Sequence, residues 1–332
     1  IESTLLKQFD IYRAPNFIED GSAEYKLELI DAISTELSYH VPARRMLHRI
    51  HIGQRKLLLN EVIFLTDHGH LSDTVVYAGA AAGIHIPLLS KLFPRHKLIL
   101  WDPARFAIHP TDRIEIHNDF FTHDVAKKYN KVLFISDIRS GSDTHSFEDF
   151  EKEVITNNDW QRDWVRIMKS PMSMLKFRVP FTTKTTYKYL SGKIYMQPWA
   201  PVDSAETRLV TDGIEEVEYD AHEYENRTFY LNNVTREFTY FTHDIPTTRV
   251  HGLCHCYDCA YEIWIWRHYF TNIAKMTNDV EINEAIIDVM NQASNIIGRS
   301  LFGGMHGLYA NLPMLHKRAL LRKLNIAQGD KH

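Results

Sequence analysis

"TVVYAGAAAG", residues 74–83, decides the fold. Val75, Val76, Tyr77 and Ala78 form an unbroken apolar run, the mark of a strand buried on both faces. Gly79 and Gly83 then frame a turn holding only alanines. Side chains this small let a ligand approach the backbone, and the next helix offers free N–H groups at its start. By itself such a turn is as often a tight connection as a ligand cradle.

Outward from it the pattern repeats. A helix is expected at 84–93, then strands at "KLILWD" (97–102), "RIEIHN" (113–118) and "KVLFISD" (131–137). A polar loop, "RSGSDTHS" (139–146), leads into a helix at about 147–168. Three further strands are expected at "MSMLKFRV" (172–179), "KIYMQPW" (193–199) and "ETRLVT" (206–211). Strands alternating with helices imply an α/β fold with a mostly parallel sheet. The short connections of the last strands point to an antiparallel element at the end of that sheet.

Helices flank this region on both sides. One is expected over 23–37, and an amphipathic one over 53–66 with Leu57, Leu58, Val62 and Leu65 on one side. Beyond residue 240 come apolar, aromatic helices at 256–270 and 281–297, and a short basic one at 314–324. No internal repeat or low-complexity linker interrupts the chain. The expectation is one domain over 1–332: a core of about 50–240, an N-terminal segment 1–50 and a C-terminal helical extension 241–332.

The chain has 332 residues, 44% hydrophobic and 24% charged, an ordinary globular composition. No apolar run approaches the roughly 18–20 residues that span a bilayer, so no membrane association is expected. The start shows no signal-peptide pattern, and its first residue is Ile, as in a trimmed chain or a domain cut from a longer one. A net charge of −4 argues that any nucleic acid is bound at a local site rather than over a basic surface. Three cysteines within six residues make no disulfide framework, and an intracellular, reducing compartment is the default.

Asp102 follows Gly83 by 19 residues and ends the second strand, the usual place for a carboxylate that takes both hydroxyls of a ribose. Asp137 ends the fourth strand. Ligands of open α/β sheets lie outside the carboxyl ends of the strands, so Gly79, Gly83, Asp102 and Asp137 converge on one crevice. Together they point to an adenosine-containing ligand. The loop lacks both the GxxxxGK[ST] and the GxGxxG fingerprints, which favours a ligand without phosphates, such as S-adenosylmethionine.

Four charged residues group with that crevice: Lys56, Asp137, Lys176 and Glu206. Two amines and two acids suit the deprotonation or orientation of an unactivated hydroxyl beside a methyl donor. A second cation and partial burial bring an amine towards its neutral form, and the acids hold it in place. The bland reading of any one of them is a surface charge, so the set has force only if it meets in space.

Six stretches carry a resemblance: "GQRKLLLNEVIFL", "TVVYAGAAAGIHI", "LFISDIRS", "MLKFRVPF", "MQPWAPVDSAETRL" and "YENRTFYLNN". In order and spacing they resemble the poxvirus-type cap-specific mRNA 2′-O-methyltransferases, which double as the regulatory subunit of viral poly(A) polymerase. The resemblance covers about residues 36–240 and implies a Rossmann-like class I S-adenosylmethionine-dependent methyltransferase fold. It implies Lys176 as the catalytic base, supported by Lys56, Asp137 and Glu206. It places Gln54, Tyr77, Gly79, Gly83, His85, Asp102 and Arg105 on or near the methyl-donor site. The family's "DGR" is "DPAR" here, and its "GSAPG" is "GAAAG".

The resemblance also implies a pocket for 7-methylguanine, a cationic base that stacks well between electron-rich rings. Tyr39 and Phe181 match the two rings, and Glu225 matches one of two carboxylates. At the other carboxylate position stands Thr182 or Thr183. Arg139, Arg178, Lys193 and Arg208 are the candidates for RNA phosphates, with Ser204 also on the substrate side. Strand alternation from Lys176 equally allows Arg178 a structural salt bridge.

The expected function is methyl transfer from S-adenosylmethionine to the 2′-hydroxyl of the first transcribed nucleotide of capped mRNA, in the cytoplasm of a host or in a virion. Expected partners are capped mRNA and a poly(A) polymerase catalytic subunit or other capping proteins. One rival is a non-catalytic RNA-binding processivity subunit; another is a methyltransferase for a different RNA hydroxyl or base. Cys254, Cys256 and Cys259, with His251 and His255 nearby, invite a zinc reading. They enter an apolar helix and lack a second CxxC pair, so small core residues and no metal are expected. Trp264, Trp266, Tyr269 and Phe270 read as core or as a partner-facing patch.

Overall fold

The computed structural model describes residues 52–140, 146–181, 185–201, 204–232, 236, 243–254 and 256–301. Tyr39, Thr182, Thr183, His255 and the helices expected at 23–37 and 314–324 lie outside the described residues. The chain divides into two compact units: residues 60–197 with 205–225, and residues 1–59 with 198–204 and 226–332.

Every described strand belongs to the first unit. The strands are β1 (Thr74–Ala78), β2 (Lys97–Trp101), β3 (Ile114–His117), β4 (Leu133–Ser136), β5 (Ser173–Phe177), β6 (Thr186–Leu190), β7 (Lys193–Tyr195), β8 (Thr207–Thr211) and β9 (Glu216–Asp220). Among the described residues the main sheet has seven strands in the order β3-β2-β1-β4-β5-β8-β7. Strands β3 to β5 are mutually parallel, while β8 runs antiparallel to β5 and to β7. The antiparallel element expected near the end is therefore this pair, β8 and β7. The strand order reverses between β1 and β4, which opens a crevice at their carboxyl ends.

The central strands are apolar runs because both faces are covered. Val75 through Ala78 and Leu133 through Ser136 are all buried. Beside them lies α4 (Phe147–Met168), begun by Ser146, whose side chain accepts from the Asp149 N–H, and ended by Lys169 at φ 48°. Its buried residues Asn158, Gln161, Trp164, Val165 and Met168 recur at helical spacing. Trp164 meets Phe121 edge-on at 4.9 Å, a geometry that favours aromatic pairs beyond their buried area.

The helix expected at 53–66 is α1 (Gly53–His68), but it is not amphipathic: Leu57 through Leu65 are buried all round, polar Asn60 and Glu61 included. A helix buried on every side needs no polar stripe. Two short helices follow, α2 (Ile86–Leu92) after β1 and α3 (His123–Ala126) after β3. A small second sheet, β6 with β9, precedes α5 (Ala221–Tyr230).

The second unit is organised by α6 (Tyr257–Asn272) and α7 (Asp279–Ile297) around two buried ion pairs. The Arg55 guanidinium donates to Glu262, to Ser294 Oγ at 2.9 Å and to Met290 O at 3.1 Å. Glu262 also accepts from Trp199 Nε1 at 2.7 Å and Trp266 Nε1 at 3.1 Å. Arg236 binds Asp258 at 2.9 Å and Asn232 at 3.0 Å. These charges are tolerable inside because every pair is closely hydrogen-bonded.

Candidate active site

The glycine turn follows β1. The Gly79 N–H donates to Trp101 O at 2.8 Å, and its φ is 81°. A Cβ built there would stand 2.7 Å from the Asp137 carbonyl, so only glycine admits this approach of the β4 end. Gly83 also has positive φ, 72°. Asp102, just past β2, accepts from the Ala81 N–H at 3.0 Å and the Ala104 N–H at 2.8 Å. The turn and the acid are thus joined, as a nucleoside site requires, and each carboxylate oxygen keeps a further lone pair for a hydroxyl. Arg105, two residues on from the Pro that replaces the family's glycine, is exposed.

Tyr77 and His85 turn inward. The His85 ring meets Glu61 at 2.9 Å, with both side chains fully buried. Burial, then the charge of Glu61, pushes the Tyr77 phenol well above its usual value, so it stays a neutral donor towards Glu61. Both residues are buried and share Glu61 as partner. Glu61 escaped the sequence reading; its signal was an acid inside the apolar run "LLLNEVIFL".

One strand beyond the crevice, three of the four expected charges meet. Lys176 Nζ lies 3.2 Å from Asp137 Oδ1 and 3.3 Å from Glu206 Oε2. Its side chain is 16% exposed, enough to meet a substrate. Gln161, from α4, fixes the backbone by donating to Lys176 O at 2.9 Å. Glu206 also accepts from Arg139 at 3.3 Å and from Gln197 at 3.2 Å. Lys56 and Gln54 belong to the other unit, where Lys56 is buried and Gln54 half-buried. Ser204 lies in that unit as well, its carbonyl accepting from Asn232 at 2.7 Å.

Arg208 corrects an expectation. Its side chain is 1% exposed, so it does not reach phosphate. Its guanidinium donates to Asp137 at 2.7 Å, Gln197 at 2.8 Å and Ser136 O at 3.3 Å. Burial works against its charge, but Asp137 and Glu206 outweigh it and raise its pKa. Arg208 is thus a positioning residue for the acids. Arg139 and Lys193 stay exposed, as phosphate contacts must.

Past β5 the strand leads to Phe181. Arg178 stands 4.7 Å from the Phe181 ring centroid and 5.0 Å from that of Phe150, and it pairs with Glu151. Of its two sequence readings, the structural salt bridge is the one observed. Glu151 also accepts from the Phe181 N–H at 2.6 Å, which anchors the aromatic residue from α4. Glu225, half-buried on α5, has its carboxyl pushed up by burial, against the lowering charges of His222 and Arg178. The sequence reading missed Phe150 and Glu151, whose helical position gave no link to Phe181.

Strand order, glycine turn and lysine–carboxylate cluster, all at one sheet edge, define an α/β domain of the Rossmann-like methyltransferase class. The chain matches the family described as the poly(A) polymerase regulatory subunit over residues 24–292, and it belongs to that family. The cap-specific mRNA (nucleoside-2′-O-)-methyltransferase of Myxoma virus, strain Lausanne, is 27% identical over 289 residues, 78% of this chain and 84% of the relative. The protein of the same name from Fowlpox virus, strain NVSL, is 30% identical over 240 residues, covering 64% and 75%. Among solved structures, bluetongue virus VP4, described as a multifunctional RNA-capping production line, aligns with a TM-score of 0.40 and 17% identity over 58% of this chain and 33% of that one.

Proposed function

We propose that the protein methylates the ribose 2′-hydroxyl of the first transcribed nucleotide of 7-methylguanosine-capped RNA, using S-adenosylmethionine. The observation that carries this reading is Lys176, held between Asp137 and Glu206 one strand from the glycine turn. The activity for which the Myxoma and Fowlpox relatives are named supports it.

The residues fit the methyl donor. The bare Gly79–Gly83 turn admits an adenosine, and Asp102 beside it suits a ribose diol. When bound, the donor supplies a methyl group activated by its sulfonium. Lys176 takes the proton of the 2′-hydroxyl as the oxygen–carbon bond forms and the carbon–sulfur bond breaks. Asp137 and Glu206 orient the amine, and Arg208 with Gln197 holds the acids still. Alignment of the two reactants supplies much of the remaining acceleration. Phe181 stacks on the cap base and Glu225 accepts from the guanine edge, while Arg139 and Lys193 meet phosphates.

The test is transfer of labelled methyl to matched RNAs ending in 7-methylguanosine cap, unmethylated cap or triphosphate. Transfer confined to the methylated cap is the expected result. No transfer to any RNA removes the enzyme reading, and equal transfer to all three removes the cap pocket. The family's description favours a second role, as partner of a poly(A) polymerase. Co-purification with a polymerase catalytic subunit tests it independently, and a variant lacking Lys176 should still co-purify.

A further inference from the structure

Outside the site described, one cluster of reactive side chains stands out in the second unit. Cys254, Cys256 and Cys259 are all buried, and their sulfurs lie within 4.8 Å of one another. Small core residues need only burial; nothing in apolar packing makes three sulfurs converge on one point. Zinc–sulfur bonds of about 2.3 Å at the tetrahedral angle set sulfurs roughly 3.8 Å apart. The Cys254 and Cys259 sulfurs are 3.8 Å apart.

Cys256 is the N-cap of α6 and Cys259 lies in its first turn, where the helix dipole stabilises negative charge. The Cys254 N–H points at Cys259 Sγ at 3.4 Å, the kind of backbone donor that steadies a sulfur ligand.

We infer that Cys254, Cys256 and Cys259 supply three thiolates to a zinc ion at the start of α6. Three thiolates select a borderline-soft, tetrahedral divalent ion. All three cysteines are buried, so the role is structural. The spacing alone favoured core cysteines; the convergence of sulfurs reverses that weighting.

The full chain, purified without chelator, is expected to carry one zinc by mass spectrometric metal analysis. Exchange for cobalt should give the intense visible bands and the thiolate charge-transfer absorption of a tetrahedral site. The Cys254→Ser and Cys259→Ser variants should lose the metal. Because Cys259 is fully buried and its variant can fail to fold, native thiol titration of the unaltered protein gives a second reading. The three thiols should react only after a chelator removes the ion. Protein that binds neither zinc nor cobalt, thiols equally reactive with and without chelator, or a Cys254–Cys259 disulfide in freshly purified protein overturns the proposal.

Discussion

Lys176 and Arg208 stand opposite each other across β5 and β8, and both close on one oxygen, Oδ1 of Asp137, at 3.2 and 2.7 Å. The two cations divide the work by depth. Arg208, always charged and 1% exposed, keeps the acid in place, while Lys176 stays at the rim where a hydroxyl arrives. With Lys176 set aside, Arg139 and Arg208 balance Asp137 and Glu206, so the cluster is neutral when the amine is. Lys176→Ala should lower single-turnover methyl transfer by about 10²–10⁴-fold, the range for loss of a general base. Calorimetric binding of the methyl donor should stay nearly unchanged. Wild-type transfer in that variant would remove the assignment of Lys176.

Phe181 is anchored through Glu151, so its ring is preset rather than recruited. Phe181→Ala should raise KM for 7-methylguanosine-capped RNA and leave kcat near its original value. An RNA ending in unmethylated cap, lacking the positive charge, should show a smaller change. An equal change on both RNAs would mean that the ring is packing, not stacking on the cap.

Glu225 predicts a pH dependence. Its ionised form accepts from two guanine N–H groups at once, whereas the protonated form turns one oxygen into a donor; burial raises its pKa from the usual value. As pH falls, KM for capped RNA should begin to rise at a higher pH than an ordinary carboxylate would give. Glu225→Gln should show weaker binding and lose that limb of the pH profile. The same limb in the variant would assign the titration to another group.

Glu262 joins Arg55, Trp199 and Trp266 at one buried carboxylate. Glu262→Ala strands a buried guanidinium and should cost roughly 3–5 kcal/mol of stability. Denaturant unfolding measures it, and a loss under about 1 kcal/mol would show that water reaches Arg55. The double change Arg55→Met with Glu262→Leu should recover much of the loss, because it removes both charges together.

The parallel half of the sheet was legible because buried strands are written as plain apolar runs, from Val75–Ala78 to Leu133–Ser136. The β6–β9 sheet was not: "TYKYL" and "EVEYD" face solvent over much of their length, so they carry no such run. Helix α5 hid for a related reason, since "AHEYENRTFY" mixes charge and aromatics around its circumference. The site divided the same way. Asp102, Asp137 and the glycines follow from strand ends, and Lys176 and Glu206 come together as expected. Arg208 was taken for a phosphate contact because side-chain type predicts exposure, and its buried partner Asp137 overrides type. Glu151 lies far from Phe181 in sequence, and only folding brings them together.

The close approach of Gly79 to the Asp137 carbonyl couples two parts of the site through the main chain. The backbone of the glycine turn and the backbone that carries the Lys176-orienting acid share one van der Waals surface. A methyl group gained at position 79 would displace both in a single step. Any side chain at position 79 meets that backbone whatever residue stands at 137, so no substitution of Asp137 relieves the clash.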